Sequence, residues 1–460
     1  MRFPITPLAI ALLTGPAFAQ TTADTDKRIT DLEQKVAQLS QSAAAKDAGH
    51  DGFSMKPTGR IFLDATYFRG GKDKLTDGTL LRTARLGWKA YLGNTWYSES
   101  EVDFSGNSIA IKDMWAGYQG FANSIIQVGH FKEPFGMDTL VSDSNIWFLE
   151  RSYTDSWTPS RHIGLGYAKW GERWQGKASF YGEAIDDTSA DQDAADDNVD
   201  STGLLKSYKI VDNQGWGLAA RLTCLPVKVS DTQLIHLGVA AAQRTPNAAA
   251  PGVYTWDFST RPGTNKTSKA KFLNASVTNV DKLNQLGFEF AGLWGPFSWQ
   301  SEYQISKVVR RGTQLRKWSG TALVPTTAAE QAASTVDHTF STYYCQVSWV
   351  IGGQRQYDSS DAFFKSVTPS SKNGALELLA RYNVMDQDDL TSVDPVAGGV
   401  SKNFTVGVNY YVNRYLRFMV DYTTVRNNDN AACSKAYSPT GVKIPGDDFG
   451  YTNMRMAVTF

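Results

Sequence analysis

Cysteine is scarce: Cys224, Cys345 and Cys433 are the only three in 460 residues. An odd number cannot close a complete disulfide framework. No two lie in a CxxC spacing, so a zinc or redox dithiol site has no ligands. Scarce thiols fit an oxidising compartment, and all three read as small strand or loop residues. Histidines are also few, at 5 (His50, His130, His162, His236, His338). Neither G-x-S-x-G nor H-E-x-x-H occurs. Ser142, Asp143 and His162 are the nearest approach to a triad, and a triad is set by geometry, not by nearness in sequence. An enzyme is therefore not expected, nor a cofactor or a metal. An excess of charge is missing too: Lys+Arg and Asp+Glu both number 46. A nucleic-acid binder would show a basic surplus. Finally, no segment reaches the roughly 18 apolar residues that a transmembrane helix needs.

What is present points to strands. Aromatics make up 12% of the chain and glycines number 39, which suits many strands and tight turns. Mean hydropathy is −0.34. Barrel strands alternate apolar and polar residues, so they average to such values even in a membrane. At the N-terminus, Arg2 precedes a short apolar run from Pro4 to Thr14, and Ala17-Phe18-Ala19 precedes Gln20. This pattern predicts a signal peptide over 1–19, cleaved near Ala19. An exported chain without a helical anchor can enter a membrane only as a closed barrel.

Residues 20–50 form a separate module. Ile29, Leu32, Val36 and Leu39 follow heptad spacing, with Arg28 and Glu33 flanking. Only about two heptads are present, fewer than a confident coiled coil requires. A short coiled coil and a single amphipathic helix on the barrel mouth both fit. The Ile/Val and Leu choices alone favour a dimer. An Ala-rich linker follows Leu39.

From about residue 51 to 460 the period becomes two. Ile61, Leu63, Ala65 and Tyr67 alternate with Arg60, Asp64 and Thr66. Met454, Met456, Val458 and Phe460 alternate with Arg455, Ala457 and Thr459. We count about sixteen such segments, joined by short turns and long polar loops, the rhythm of a transmembrane antiparallel up-and-down β-barrel. Short turns fall at Gly93-Asn94, Gly295-Pro296 and Asn413-Arg414, and long loops at about 134–160, 186–213, 244–280, 311–337, 357–372 and 427–448. Aromatic pairs at segment ends (Trp96 and Tyr97, Trp294 and Trp299, Tyr410 and Tyr411) are candidates for interfacial girdles. Phe460, an aromatic at the end of an alternating strand, is the expected closing partner of the first strand. It resembles the insertion signal of outer-membrane proteins, which places the chain in the Gram-negative outer membrane, its outer face against lipid.

The segment 132–161 follows a strand and is too long for a simple turn. Its aromatics, Phe135, Trp147, Phe148, Tyr153 and Trp157, argue for packing inside the barrel as a constriction. Lys132, Glu133, Glu150, Arg151 and Arg161 would be its charged teeth, or would pair with wall charges to hold it. Two further stretches are basic: 244–271 (Arg244, Arg261, Lys266, Lys269, Lys271) and 307–317 (Lys307, Arg310, Arg311, Arg316, Lys317). Rings of such side chains draw anions into a pore, although a solvated surface loop has the same composition. On the second strand Thr83, Arg85, Gly87 and Lys89 share the lumen parity, and Arg82 falls on the wrong one. A bulge or a subunit interface must accommodate it.

The run Gly129-His-Phe-Lys-Glu-Pro-Phe-Gly-Met137, followed by Phe148-Leu-Glu-Arg151, resembles the phosphate- and polyphosphate-selective porin family, porins O and P. Weaker matches are Arg82–Gly87, Gly295-Pro-Phe, Glu302-Tyr303, Gly374–Tyr382 and Gly407–Tyr411. The resemblance implies a sixteen-stranded barrel, a homotrimer, and an anion-attracting pore, for phosphate and other small anions, narrowed by inward-folded loops. Asp113 matches the family's acidic pore residue. This chain has Arg82-Thr83 where relatives have two arginines, Thr139 where they have lysine, and lysines in place of some arginines in the 244–271 loop. Lysine lacks the bidentate fork that grips phosphate. The pore-lining candidates are Arg82, Arg85, Lys89, Asp113, Lys132, Arg151, Arg161, Arg244, Arg261, Lys269, Lys271, Arg310 and Arg311. The expected activity is passive diffusion of small hydrophilic solutes with a modest anion preference. A non-selective, cation or sugar pore, or a barrel that tethers the envelope, remain alternatives.

Overall fold

The computed structural model describes residues 52–106, 109–185, 214–250, 253–264, 270–311, 316–319, 322–325, 327–329, 336–391, 394–433 and 443–460. The signal peptide, the 20–50 helix, the 186–213 loop, Lys266 and Lys269 lie outside the described residues.

Sixteen strands close into one barrel, each beside its neighbour in sequence. They are β1 (Phe53–Gly70), β2 (Gly78–Leu92), β3 (Trp96–Asp103), β4 (Ala110–Tyr118), β5 (Ser124–Lys132), β6 (Arg161–Trp170), β7 (Trp174–Tyr181) and β8 (Gly217–Ser230). There follow β9 (Gln233–Arg244), β10 (Val280–Trp294), β11 (Phe297–Arg310), β12 (His338–Ile351), β13 (Ala375–Asp389), β14 (Val396–Tyr411), β15 (Leu416–Asn427) and β16 (Phe449–Thr459). β16 runs antiparallel to β1 from Arg60↔Thr459 to Gly70↔Phe449. Beyond it Gly59 and Phe460 exchange both backbone hydrogen bonds, at 2.9 Å each. No edge is left, which is the condition for backbone in lipid.

The period-two pattern sets which face each residue takes. Ile61 and Leu63 are 42% and 45% exposed on the outside, while Phe62 between them is 1% exposed. Inward positions are rich in polar side chains that satisfy one another, such as Gln300 with Tyr344 (2.5 Å) and Thr405 with Thr423 (2.9 Å). The aromatic pairs split for the same reason. Trp96 and Tyr410 face outward, whereas Tyr97 and Tyr411 are buried on the inside. Adjacent residues on a strand cannot both join a girdle.

Three connections fold inward. Residues 133–160 join β5 to β6. Residues 245–279 carry strands Val253–Thr260 and Leu273–Thr278, so this stretch is not the plain loop its composition suggested. Phe258, Leu273 and Val277 pack with Trp157 of the 133–160 connection and with Leu283, Val308 and Phe340 of the barrel. Burying apolar rings and aliphatics together keeps this inner sheet in place. The third, 352–374, lies on the rim otherwise made of short turns, because it follows an even-numbered strand. It folds back as two short ladders, Gly353–Gln354 with Thr368–Pro369 and Tyr357–Asp358 with Phe363–Phe364. Tyr357 Oη meets His236 Nδ1 at 2.7 Å, and Arg221 donates to the Ala362 carbonyl at 2.9 Å. The Phe364 ring reaches Trp147 of the first inward loop, with centroids 5.9 Å apart. Loops entering from the two rims therefore meet inside the barrel.

Candidate functional site

The loop 133–160 is built by the Phe-Lys-Glu-Pro-Phe-Gly run. Pro134 cannot donate to a ladder, so β5 stops there. Gly136 turns the chain at φ 71°, and a Cβ there would lie 2.9 Å from Glu302 Oε2. The helical turn Met137–Leu140 follows. Its first two amides, Met137 N and Asp138 N, donate to the Glu302 carboxylate at 3.0 and 2.7 Å. Tyr344 Oη donates to the same group at 2.6 Å. An acid at the start of a helical turn satisfies amides that have no partner in the turn. At the other end Lys132 Nζ donates to the carbonyls of Thr139 (2.5 Å) and Val141 (3.1 Å). Phe135 packs over Gly287. Glu133 lies buried against Ser179 and close to His162. Burial pushes its carboxyl up to about 8, against the Ser179 hydrogen bond and the Arg244 charge.

The middle of the loop hangs from wall side chains. Arg417 donates to the Ile146 carbonyl (3.0 Å), Asn409 to Trp147 (2.7 Å), Arg455 to Leu149 (2.6 Å) and Arg381 to Glu150 (3.0 Å). The Trp147 and Phe148 rings lie under the guanidiniums of Arg355 and Arg381, at 4.6 and 4.4 Å. Such cation–π contacts are strong where water is excluded. None of Arg355, Arg381, Arg417 or Arg455 stood among the sequence candidates. For Arg381, Arg417 and Arg455 the signal was an arginine on the inward parity of the last strands; Arg355 lies on the 352–374 connection.

Glu150 is gripped by two wall arginines: Arg82 at 2.7 and 3.0 Å, Arg455 at 3.2 Å. Burial opposes its charge, but Arg82 and Arg455 prevail and hold the carboxyl down at about 2. Arg82 reaches it because the alternation of β2 slips by one residue: Leu81 and Leu86 face out, while Arg82 and Thr83 both lie inward. Of the two accommodations open for Arg82, the structure has the local slip. At the loop tip Asp143 lies between Arg85 (2.8 Å) and Arg151 (2.5 Å). Burial again opposes the charge, and Arg151, Arg85 and Arg60 hold the carboxyl well below the usual range. Arg85 also binds Glu101 (2.9 Å) and Asp103 (2.8 Å), so the acidic parity on β3 is neutralised from β2.

The other predicted residues take several places. Arg161 pairs with Asp113 at 2.8 and 3.1 Å. Lys89 faces Glu99 at 3.5 Å. Arg244 contacts His162 Nε2 (2.7 Å) and Glu183 (3.3 Å). Arg310 pairs with Asp394, and Arg311 donates to the Val280 carbonyl (2.9 Å) with its guanidinium 3.5 Å from the Tyr254 ring centroid. Arg261 and Lys271 sit on the inward-folded sheet, where Lys271 donates to Ser259 (2.7 Å). Of the imagined triad, Ser142 accepts from Arg60 (2.8 Å), Asp143 is held by arginines, and His162 stacks on Tyr181. Each is engaged elsewhere.

Two polar cavities flank the loop. One, of about 280 Å³, is lined by Arg82, Asp143, Glu150, Arg151, Asp155, Arg261, Lys271 and Arg455. The second, of about 340 Å³, lies beside Lys112, Arg161, Arg244 and Asp257. Among the described residues no cluster has the donor set of a metal site.

The family model described as phosphate-selective porin O and P matches residues 55–444. No curated protein sequence matches the chain. Among solved structures, OmpT, an outer membrane protein of Vibrio cholerae, superposes with a TM-score of 0.49 at 9% identity, covering 89% of this chain and 98% of that one. An anion-selective porin from Comamonas acidovorans gives 0.48 at 9% identity, covering 89% and 100%. The outer membrane channel DcaP of Acinetobacter baumannii gives 0.43 at 11% identity, covering 90% and 99%.

Proposed function

This chain belongs to the phosphate-selective porin O and P family, and we propose that it forms a water-filled pore for passive diffusion of small hydrophilic solutes with a modest preference for anions. As a member of a porin family it is an outer-membrane channel and not an enzyme. The observation that supports the anion preference is the charge around the cavity beside the loop. Five cations line it, Arg82, Arg151, Arg261, Lys271 and Arg455, against three carboxylates, Asp143, Glu150 and Asp155. A surplus of fixed positive charge in a narrow, low-dielectric passage raises the local anion concentration. Arg261 and Lys271 are the members of this set on the inward sheet, and we assign them the attracting role. Arg82, Arg85 and Arg151 face carboxylates and act mainly as anchors of the loop, while Arg161 is paired with Asp113 of the wall.

The preference is modest because two positions carry no cation. Thr83 is buried, and Thr139 is spent on a hydrogen bond to Thr158 (2.7 Å). Small inorganic anions in general, phosphate among them, are the expected permeants. Planar-bilayer reversal potentials in a KCl gradient test this: a net cation preference would sink it. Submillimolar block by phosphate would instead restore a phosphate-specific pore. A homotrimer is implied by the family and is checked by cross-linking in detergent. Export with cleavage after Ala19 is checked by sequencing the mature N-terminus.

A further inference from the structure

A third cavity, of about 420 Å³, lies between the loop 133–160 and the inward connection 352–374, on the short-turn side. Its wall is aromatic. Tyr91, Tyr97 and Trp115 stand on the lumen parity of β2, β3 and β4, with centroids 5.1 and 5.2 Å apart. Trp115 and Trp170 pack against Tyr97 and Ile125. Barrel lumens are ordinarily polar, so a run of rings across three strands facing a cavity needs a reason. The volume is within the range of pockets that hold small molecules, which pair apolar walls with a few placed polar groups.

The polar groups here are matched in charge. Lys89 faces Glu99 at 3.5 Å, and Lys177 of β7 faces Asp361 of the inward connection at 3.7 Å. Glu99 also accepts from Tyr97 Oη at 2.9 Å. Lys132 borders the cavity but turns its ammonium into the carbonyls of the constriction loop. Gln119 and Gln127 add amide donors and acceptors. An anion finds no lysine here that lacks a facing acid or carbonyl. A neutral ring with hydroxyls on its edge finds aromatic faces for its C–H surface and hydrogen-bonding groups around it.

We propose that this cavity is a binding site for a neutral pyranose sugar, stacked on Tyr97 and Trp115 and hydrogen-bonded by Glu99, Lys89 and Gln127. The site is distinct from the cationic cavity, and it gives the pore a saturable component for sugars beside its diffusion of anions.

Isothermal titration calorimetry of the full detergent-solubilised protein with maltose decides it. Sorbitol, which has hydroxyls but no ring, is the control. Saturable heat with maltose and none with sorbitol is expected. Trp115→Ala should weaken maltose about tenfold, the upper end for losing one stacked ring. Trp115→Leu serves with the same expectation if the alanine variant does not fold. Equal responses to both polyols, no response to maltose, or maltose binding unchanged in the variants would overturn the proposal. So would tighter binding of benzoate than of maltose, since that requires an unopposed cation. Binding needs no open pore, so a protein without conductance would sink the channel reading and leave this one to the calorimeter.

Discussion

Replacing Glu150 with glutamine is the sharpest perturbation of the constriction. The carboxylate is held by Arg82 at 2.7 Å and Arg455 at 3.2 Å. Glu150→Gln keeps the shape, removes one negative charge and leaves both guanidiniums. At a distance of about 6 Å a unit charge is worth about 0.7 kcal/mol even in water, which is about threefold in anion occupancy. A less polar lumen raises that figure. The assay is the reversal potential in planar bilayers at about 0.1 M salt, because concentrated salt screens the effect within roughly 3 Å. The same charge acts with opposite sign on K⁺, so the Cl⁻ over K⁺ permeability ratio should rise about tenfold. Arg82→Gln should lower it by a similar factor, and the double variant should lie near the parent. An unchanged ratio in Glu150→Gln, or a shift toward cations, would refute the view that this loop sets the pore's charge. The same pair carries a stability signature. A folded-state value near 2 against an ordinary 4.5 means stability of roughly 3 kcal/mol that is present above pH 4.5 and lost as pH falls through 2.

Glu302→Ala removes the acceptor for Met137 N, Asp138 N and Tyr344 Oη; at about 1–3 kcal/mol for each buried group left unpaired, protease should cut the 133–160 loop in the variant and spare the parent. Glu133 titrates the other way. Its raised value, about 8, gives stability that is full below pH 4.5 and is lost as pH rises through 8, so Tm should fall by several degrees between pH 6 and 9, and Glu133→Gln should flatten that profile. Gly59→Val places a side chain where a Cβ would already be 2.4 Å from the Phe460 ring; the yield of heat-modifiable folded barrel on a gel should drop, while Gly176→Ala, whose Cβ would meet nothing closer than 3.8 Å, should show a far smaller loss.

The sequence shows faces better than it shows partners. Alternation at 60–67 and 454–460 gave the parity that β1 and β16 adopt, because lipid tolerates only apolar side chains on one side. It failed at Arg82, where one slipped residue changes the face and no composition signal marks the slip. The aromatic content of 132–161 revealed a packed loop, since rings of that number cannot stay in water. What holds the loop was not legible. Arg381, Arg417 and Arg455 are separated from residues 146–150 by more than 200 positions, and only closure of the sheet brings them together. The 352–374 connection read as one more long loop. Its entry from the opposite rim follows from counting strands, a count that needs every earlier boundary to be right.

Arg381 and Arg417, two of the arginines that suspend the loop, are bonded to its carbonyl oxygens, whereas Arg455 is also paired with Asp64 at 2.7 Å. A carbonyl fixes a guanidinium in place but does not cancel its charge. The same atoms therefore serve as rivets and as a standing electric field along the passage. Rigidity and ion preference are not separately adjustable in such a design. A mutation that softens the field loosens the gate, and drift in selectivity across related chains should be accompanied by drift in conductance noise.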